Sequence, residues 1–287
     1  MSSRGNGMSG VRRTGRPRSR LRDIAGKLGA CAALTLLLAP AAPTRGEMPS
    51  ADSPAEFCLS TNQNLTLGAS LPRTAARFRA GGPLKVVAIG SSSTTGLWML
   101  DAAATYPEVM RRELERLRPN SRVEVVNSGR VGDTITGNLT RFESDVFAHR
   151  PDLVIWQVGT NDVAWGGSAE GLKEKVISGL RALKASGADV ILMDLQYAPM
   201  VLASPDHAIM EAIIAEAARQ EHVGLFSRFA LMRRSIEAGL PTGALIAWDG
   251  LHNSREGYDC VGRALARAIH AAAGQAGSAV SGTGRRN

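Results

Sequence analysis

The stretch VVAIGSSSTTG, residues 86–96, decides the fold. It joins an apolar run rich in β-branched residues to a glycine, three serines and two threonines. The apolar run predicts a buried strand, and Gly90 followed by small polar residues predicts a sharp turn into a helix. One of Ser91, Ser92 and Ser93 is then a candidate nucleophile, and the others are capping and turn residues.

The same alternation of strand and helix continues along the chain. Amphipathic helices are predicted from apolar residues at helical spacing, as at Met110 and Leu114 behind Pro107. Alternating strands and helices favour a parallel sheet covered on both faces. The predicted strands are 84–89, 123–126, 153–158, 190–195 and 223–226.

Charge is distributed unevenly along the 287 residues. The formal net charge is +8, and residues 1–46 carry all of it, with nine basic residues and one acidic residue. The remainder holds 25 basic and 25 acidic residues, so electrostatic recognition of nucleic acid has no support.

The basic segment is followed by the apolar run LGACAALTLLLAPAAP, residues 28–43. A basic leader, an apolar run too short for a bilayer and a small-residue site at Ala39-Pro40-Ala41 are typical of a signal peptide. We therefore expect residues 1–41 to be removed and the protein to be exported, periplasmic or secreted, without stable membrane insertion. The alternative is an uncleaved membrane anchor, which Pro40 and Pro43 would interrupt.

The rest of the chain divides into three predicted parts. Residues 42–82 form an N-terminal extension with little periodicity, residues 83–273 form one domain, and residues 274–287 form a disordered tail. After cleavage only Cys58 and Cys260 remain. In an exported protein they allow one disulfide, and the alternative is two unrelated buried thiols.

Polar blocks follow the predicted strands at the edge where open parallel sheets bind ligands. They are GSSST at 90–94, NSGRVGDT at 127–134, GTND at 159–162, and DGLH at 249–252 before the last helix. Each is an ordinary polar loop by itself, but four in this order indicate a site.

With these blocks the sequence resembles the SGNH (GDSL-like) hydrolases over about residues 83–273. The resemblance implies an α/β fold, a three-layer α/β/α sandwich with a five-stranded parallel sheet, and ester hydrolysis without a cofactor. It implies Ser92 as nucleophile, with His252 as base and Asp249 as its orienting partner. Gly132, Asn161 and the Ser92 N–H would form the oxyanion hole. The family's aspartate before the serine is replaced by Ser91, which leaves the hydrogen bonding of the nucleophile loop open.

The chemistry of these residue types agrees with that assignment. A serine hydroxyl needs a base during attack, and a histidine needs a third group to orient it. Other sites fit less well. Thr94 stands where an α/β-hydrolase elbow has glycine, and the sequence lacks the HExxH and CxxC spacings of common metal sites. Four other histidines are expected at the surface or at helix caps, and these are His149, His207, His222 and His270.

Three other functions stay open on sequence alone. A flavodoxin-like binding protein would use SSSTTG as a phosphate loop, but it leaves GTND and DGLH unexplained. A glycan-binding module derived from the hydrolase fold would not need an intact catalytic set. An acyltransferase would use the same acyl-enzyme and pass the acyl group to a sugar hydroxyl.

The expected substrate is a short-chain ester, acetyl above all, of a cell-envelope glycan or small molecule. Connections between the blocks are short, so no long insertion is present to form a lid, as a lipase or lysophospholipase would need. Tyr197 and Met200 in the loop 197–206 are candidates for one wall. Trp165 and Trp248 either line the cleft or pack in the interior, whereas Trp156 is expected in the core. The oligomeric state has no signal in the sequence.

Overall fold

The computed structural model describes residues 53–165 and 167–282, with side chains as far as 275. The predicted leader and its cleavage site therefore lie outside the described residues. The five predicted strands are confirmed, with bounds that shift by up to three residues at their ends. They are β1 (Leu84–Gly90), β2 (Val123–Gly129), β3 (Leu153–Gln157), β4 (Asp189–Met193) and β5 (Gly224–Phe226).

These strands form one parallel sheet in the order β2-β1-β3-β4-β5. Continuous apolar runs form β1 and β3, which are buried almost along their whole length, as expected for strands covered on both faces. From β1 the chain moves to β2 on one side, and it then crosses back to β3 on the other. This reversal places a crevice at the carboxyl end of β1, where ligands bind in open sheets.

Helices cover both faces of the sheet. One group consists of α4 and α13, with α1 and α2 against α13, and the other contains α5, α8 and α10. Crossovers between parallel strands are right-handed as a rule, so the reversal of strand order puts these groups on opposite faces and gives the predicted three-layer sandwich. The helices are α1 (Pro54–Ser60), α2 (Pro72–Ala80), α3 (Ser92–Thr95), α4 (Tyr106–Leu117), α5 (Ile135–Thr140), α6 (Phe142–Asp145), α7 (Thr160–Ala164), α8 (Leu172–Ala185), α9 (Pro199–Leu202), α10 (His207–Gln220), α11 (Arg228–Glu237), α12 (Thr242–Leu245) and α13 (Arg255–Gly282).

The segment before β1 is more ordered than its weak periodicity predicts. It contains α1 and α2, and Leu59, Leu71 and Phe78 belong to the same hydrophobic core as the sheet. Cys58 and Cys260 are fully buried and joined by a disulfide with a Cα–Cα distance of 6.1 Å. The bond fastens α1 to α13, so this segment packs as part of the sandwich rather than as a separate arm.

The last helix is longer than the sequence indicates. Its backbone is helical to Gly282, beyond Gly274 where disorder is predicted. Ala272 and Ala273, just before this stretch, are buried, and the helix continues from them. Residues 283–287 lie outside the described part. Within the described ranges, no helix has the length and apolar character to cross a membrane.

Candidate active site

Ser92 lies at the crevice, as the first residue of α3 directly after β1. It is buried, and its Oγ lies 2.7 Å from Nε2 of His252. Because N–H groups in the first turn of a helix have no partner within that helix, the Ser92 N–H also lies free of the helical ladder. Ser92 is thus the serine of the loop whose hydroxyl is bonded to a histidine.

The other ring nitrogen of His252 faces a carboxylate. Its Nδ1 lies 2.6 Å from Oδ2 of Asp249, and Oδ1 of Asp249 accepts the backbone N–H groups of Leu251 and His252, each at 3.0 Å. Gly250 has a φ of +71°, which lets the chain turn tightly enough for this contact between residues three apart. With an ionised Asp249, Nδ1 carries the hydrogen and Nε2 accepts from Ser92.

Asp249 receives one further hydrogen bond, which sequence reasoning missed. Nε1 of Trp98 donates to Oδ2 of Asp249 at 2.7 Å. Burial alone raises the pKa of Asp249, but the bonds from His252, Leu251 and Trp98 together hold that pKa well below its ordinary value. The carboxylate is therefore ionised at neutral pH, as an orienting partner for imidazole requires.

The nucleophile loop is held by a neutral amide from the neighbouring strand. Oε1 of Gln157, at the end of β3, accepts the N–H and Oγ–H of Ser91, both at 2.9 Å, and Oγ1–H of Thr94 at 3.2 Å. Ser91 therefore stands at the N-cap position of α3 without capping it by its side chain. The predicted side-chain capping by Ser91 is therefore wrong, and its hydroxyl donates to Gln157 instead. The buried Oγ of Ser93 makes no hydrogen bond within the described residues, so its predicted capping role is wrong as well.

Asn161 reaches the site from α7, which begins after β3. Its Nδ2 donates to the backbone oxygen of Asp133 at 2.9 Å, and its Oδ1 accepts Nε1 of Trp165 at 3.3 Å. A side-chain amide has two N–H bonds, so one remains for a ligand after the bond to Asp133. These two partners fix the orientation of the amide before any substrate binds.

Gly132 lies in the turn after β2, with an exposed backbone and a φ of +75°. A Cβ would meet nothing within 4 Å, so backbone conformation rather than space favours glycine here. The N–H of Arg130 donates to the oxygen of Gly90 at 3.0 Å, which ties this turn to the nucleophile loop.

A buried arginine that the sequence analysis did not single out stabilises the same turn. Nε of Arg141 donates to Oδ2 of Asp133 at 2.7 Å, and its terminal nitrogens donate to the oxygens of Gly90 at 2.9 Å and Ser128 at 2.6 Å. Arg141 is 5% exposed. Arg141 therefore links the ends of β1 and β2 to Asp133, whose backbone oxygen orients Asn161.

Asp162, the last residue of the GTND block, anchors a neighbouring helix. Both of its oxygens accept the N–H of Ile135, at 3.2 and 3.3 Å, where α5 begins. Burial raises the pKa of Asp162 to about 6, against the effect of backbone hydrogen bonds. Its position indicates a structural role between the second and third blocks.

Three exposed tryptophans flank the motif blocks. The exposed fractions are 47% for Trp98, 83% for Trp248 and 64% for Trp165. Trp165 and Trp248 are thus on the surface beside the blocks rather than in the interior, whereas Trp156 is fully buried as predicted. Trp98 follows the first block but is not part of it. Its φ of +73° is unusual for a tryptophan, so nothing in the sequence indicated its contact with Asp249.

The remaining histidines lie away from the interior, at half-buried or exposed positions. They are His149, His207, His222 and His270. Within the described part of the chain, no group of three or more His, Cys, Asp or Glu residues could hold a metal ion.

Comparison with known proteins gives a family. Residues 57–275 match the non-GDSL lipase-like family. An arylesterase of Vibrio mimicus is 27% identical over 115 residues, which cover 40% of this chain and 56% of the arylesterase. An acetylxylan esterase of Geobacillus stearothermophilus is 28% identical over 169 residues, covering 54% of this chain and 76% of that esterase.

Solved structures share the fold. A two-domain esterase active on acetylated mannans aligns with a TM-score of 0.61 at 20% identity, covering 71% of this chain and 54% of that one. The chain thus spans little more than half the length of this esterase and of the arylesterase. Together with the five-stranded sheet, the family match over more than half of the sequence confirms the resemblance carried by the four blocks: the chain belongs to the non-GDSL lipase-like family.

Proposed function

We propose that the protein is a carboxylic ester hydrolase that works through an acyl-enzyme on Ser92. The observation that carries the proposal is the continuous hydrogen-bonded chain from Ser92 Oγ through the ring of His252 to Asp249. A hydroxyl, a base and an ionised orienting group in this order are what nucleophilic attack by serine needs. Esterases among the relatives and structural neighbours support the reaction class.

In the first half of the reaction, Ser92 Oγ bonds to the ester carbonyl carbon while its proton passes to Nε2 of His252. The carbonyl oxygen becomes an oxyanion, for which the N–H groups of Ser92 and Gly132 and the second N–H of Asn161 are the proposed donors. Collapse breaks the bond to the alkoxy oxygen, which takes the proton from His252 and leaves as the alcohol. Fixed donors of this kind stabilise the transition state without having to reorganise.

In the second half, water attacks the acyl-enzyme and gives its proton to His252. A second oxyanion forms in the same place. Its collapse breaks the bond between the acyl carbon and Ser92 Oγ, which recovers the proton from His252. The products are a carboxylic acid and free enzyme, so the cycle balances without a cofactor.

The proposed acyl group is short, acetyl above all, on a hydrophilic alcohol such as a cell-envelope glycan.

The segment after β4 is the expected wall of an acyl pocket. Its Ala198 and Val201 are buried in the core, and the N–H of Met200 donates to the oxygen of Gly250 at 3.0 Å. The ring of Tyr197 packs edge-on against the ring of Phe229. A segment packed this closely supports a small pocket. A short acyl group is also supported by the names of two similar proteins, an acetylxylan esterase and an esterase active on acetylated mannans.

Export is part of the proposal. The basic and apolar leader supports it, and so does the disulfide between Cys58 and Cys260, since disulfides persist in oxidising compartments.

Two measurements test this function. A fluorophosphonate should form a covalent adduct that peptide mass mapping places on Ser92, and an adduct on another serine would refute the assignment. The kcat/KM for esters of two to twelve acyl carbons should be highest at acetyl. Each methylene would gain roughly 0.8 kcal/mol in a matching pocket, so a maximum at eight carbons or more would indicate a lipase or lysophospholipase.

A further inference from the structure

The large exposed apolar side chains of the described residues lie mostly next to the motif blocks in the sequence. Of the six large hydrophobic residues exposed in the described part, five lie in or beside the four motif blocks. These are Trp98, Leu100, Val131, Trp165 and Trp248, and the sixth is Ile209 on α10. A contiguous apolar patch on the surface marks a binding site, and two members of this set, Trp98 and Trp248, form one.

The two tryptophans beside the catalytic histidine are in contact with each other. The ring centroids of Trp98 and Trp248 lie 5.3 Å apart, with their planes tilted by 47°. Trp98 also meets the ring of His252 edge-on, at 6.4 Å between centroids. We call these two rings the tryptophan pair.

Trp98 is held in place before substrate arrives. The indole N–H of Trp98 is bound to Asp249, and the backbone of Trp98 lies in the left-handed region that non-glycine residues avoid. Residues held in such conformations cluster at ligand sites. A ring that is already immobilised loses little further entropy on binding.

The reaction decides which part of the ester meets this pair. Nε2 of His252 must deliver its proton to the alkoxy oxygen, so that oxygen has to come within hydrogen-bond reach of the histidine. The carbon atoms attached to it then extend past the His252 ring, and the Trp98 ring lies beside it. The acyl group, in contrast, is bonded to Ser92.

We propose that the tryptophan pair is the subsite for the leaving alcohol and that this alcohol is a pyranoside. The inference rests on the proposed ester hydrolysis and assigns a place for the alcohol portion of the substrate. Trp248 is 83% exposed, so a ligand that stacks on its ring has one face against the indole and the other face in water. A pyranose ring suits this geometry because it has apolar C–H faces and a rim of hydroxyls, whereas an alkyl chain would leave apolar surface in water.

The test compares three acetate esters that differ only in the alcohol: ethyl acetate, phenyl acetate and a monoacetylated methyl xylopyranoside. Trp248→Ala should lower kcat/KM for the pyranoside about tenfold relative to ethyl acetate, mainly by raising KM. Trp248→Phe, which keeps a ring, should restore most of the ratio. Ile209→Ala removes an exposed apolar side chain outside the blocks and should leave the ratio unchanged. Thermal unfolding checks that each variant is folded.

Two results would overturn the subsite while leaving ester hydrolysis intact. One is an unchanged ratio in Trp248→Ala, and the other is a loss confined to phenyl acetate, which would assign the pair to an aryl alcohol. If the unmodified protein hydrolyses none of the three esters, the proposed function itself fails.

Discussion

Replacing Trp98 by Phe tests how the catalytic carboxylate is held. The change keeps an aromatic ring and removes the N–H that donates to Oδ2 of Asp249 at 2.7 Å. Asp249 would retain three donors, the ring N–H of His252 and the backbone N–H groups of Leu251 and His252. The carboxylate should stay in place but be held less firmly.

The size of the effect follows from the environment of that bond. A hydrogen bond to a charged group is worth about 1.5–3 kcal/mol. Trp98 is 47% exposed, so water can replace part of the lost interaction, and the expected loss is nearer 1 kcal/mol. We expect kcat for ethyl acetate to fall roughly fivefold with KM little changed, since the small alcohol does not depend on the ring.

The pH dependence of stability provides a second readout. The pKa of Asp249 is lowered in the folded protein, so its ionised form stabilises the fold above its ordinary value of 3.8, and this contribution is lost as the pH falls. Trp98→Phe removes part of the lowering. The variant should therefore melt below the unmodified protein at pH 7. The difference should persist at about pH 3.5 and shrink only at lower pH, where Asp249 becomes protonated in the folded protein.

A matched exchange separates this effect from general packing. Trp248→Phe removes an indole from the same pair, and Trp248 makes no hydrogen bond to Asp249. Its melting difference should not shrink at acid pH. An unchanged kcat in Trp98→Phe, together with an unchanged melting temperature at pH 7, would refute the role assigned to this hydrogen bond.

Three further predictions concern the nucleophile, the oxyanion hole and the disulfide. Ser92→Ala should lower kcat by roughly 10⁴-fold or more, whereas Ser93→Ala, whose hydroxyl makes no hydrogen bond in the described structure, should retain most activity in the same assay. Asn161→Ala should cost about 100- to 1000-fold in kcat through the lost oxyanion donor, and a kcat near that of the unmodified enzyme would exclude the residue from the mechanism. Cys58→Ser with Cys260→Ser should lower the free energy of unfolding by up to roughly 5 kcal/mol in denaturant titrations, because the disulfide closes a loop of 202 residues.

The predictable parts of the molecule are those with local signals. Each strand is a short apolar run bounded by turn residues, and a parallel sheet brings the carboxyl ends of its strands to one edge. This rule gathers the first three blocks at one edge, whereas the grouping of Ser92 with Asp249 and His252, up to 160 positions apart, was implied by the family resemblance. Spacing within a tight turn was also enough to pair Asp249 with His252.

The parts that escaped prediction depend on contacts between distant residues. The helices α1 and α2 have seven and nine residues, too short to be stable alone, and they form because the core and the disulfide hold them. Arg141 resembles any surface arginine in the sequence, yet its partner Gly90 lies 51 residues away. The left-handed backbone of Trp98 has no signature in the residue type.

The serine at position 91 shows how the site departs from the family pattern without losing its geometry. The loop needs an acceptor that holds the N–H before Ser92 and the hydroxyls around it, and this is a task of hydrogen bonding rather than of charge. Gln157 performs it from the adjacent strand, with one oxygen accepting from Ser91 and Thr94. A carboxamide does not titrate, so this support is the same at every pH. A neutral side chain at 91 is therefore compatible with the reaction as long as the amide at 157 is present.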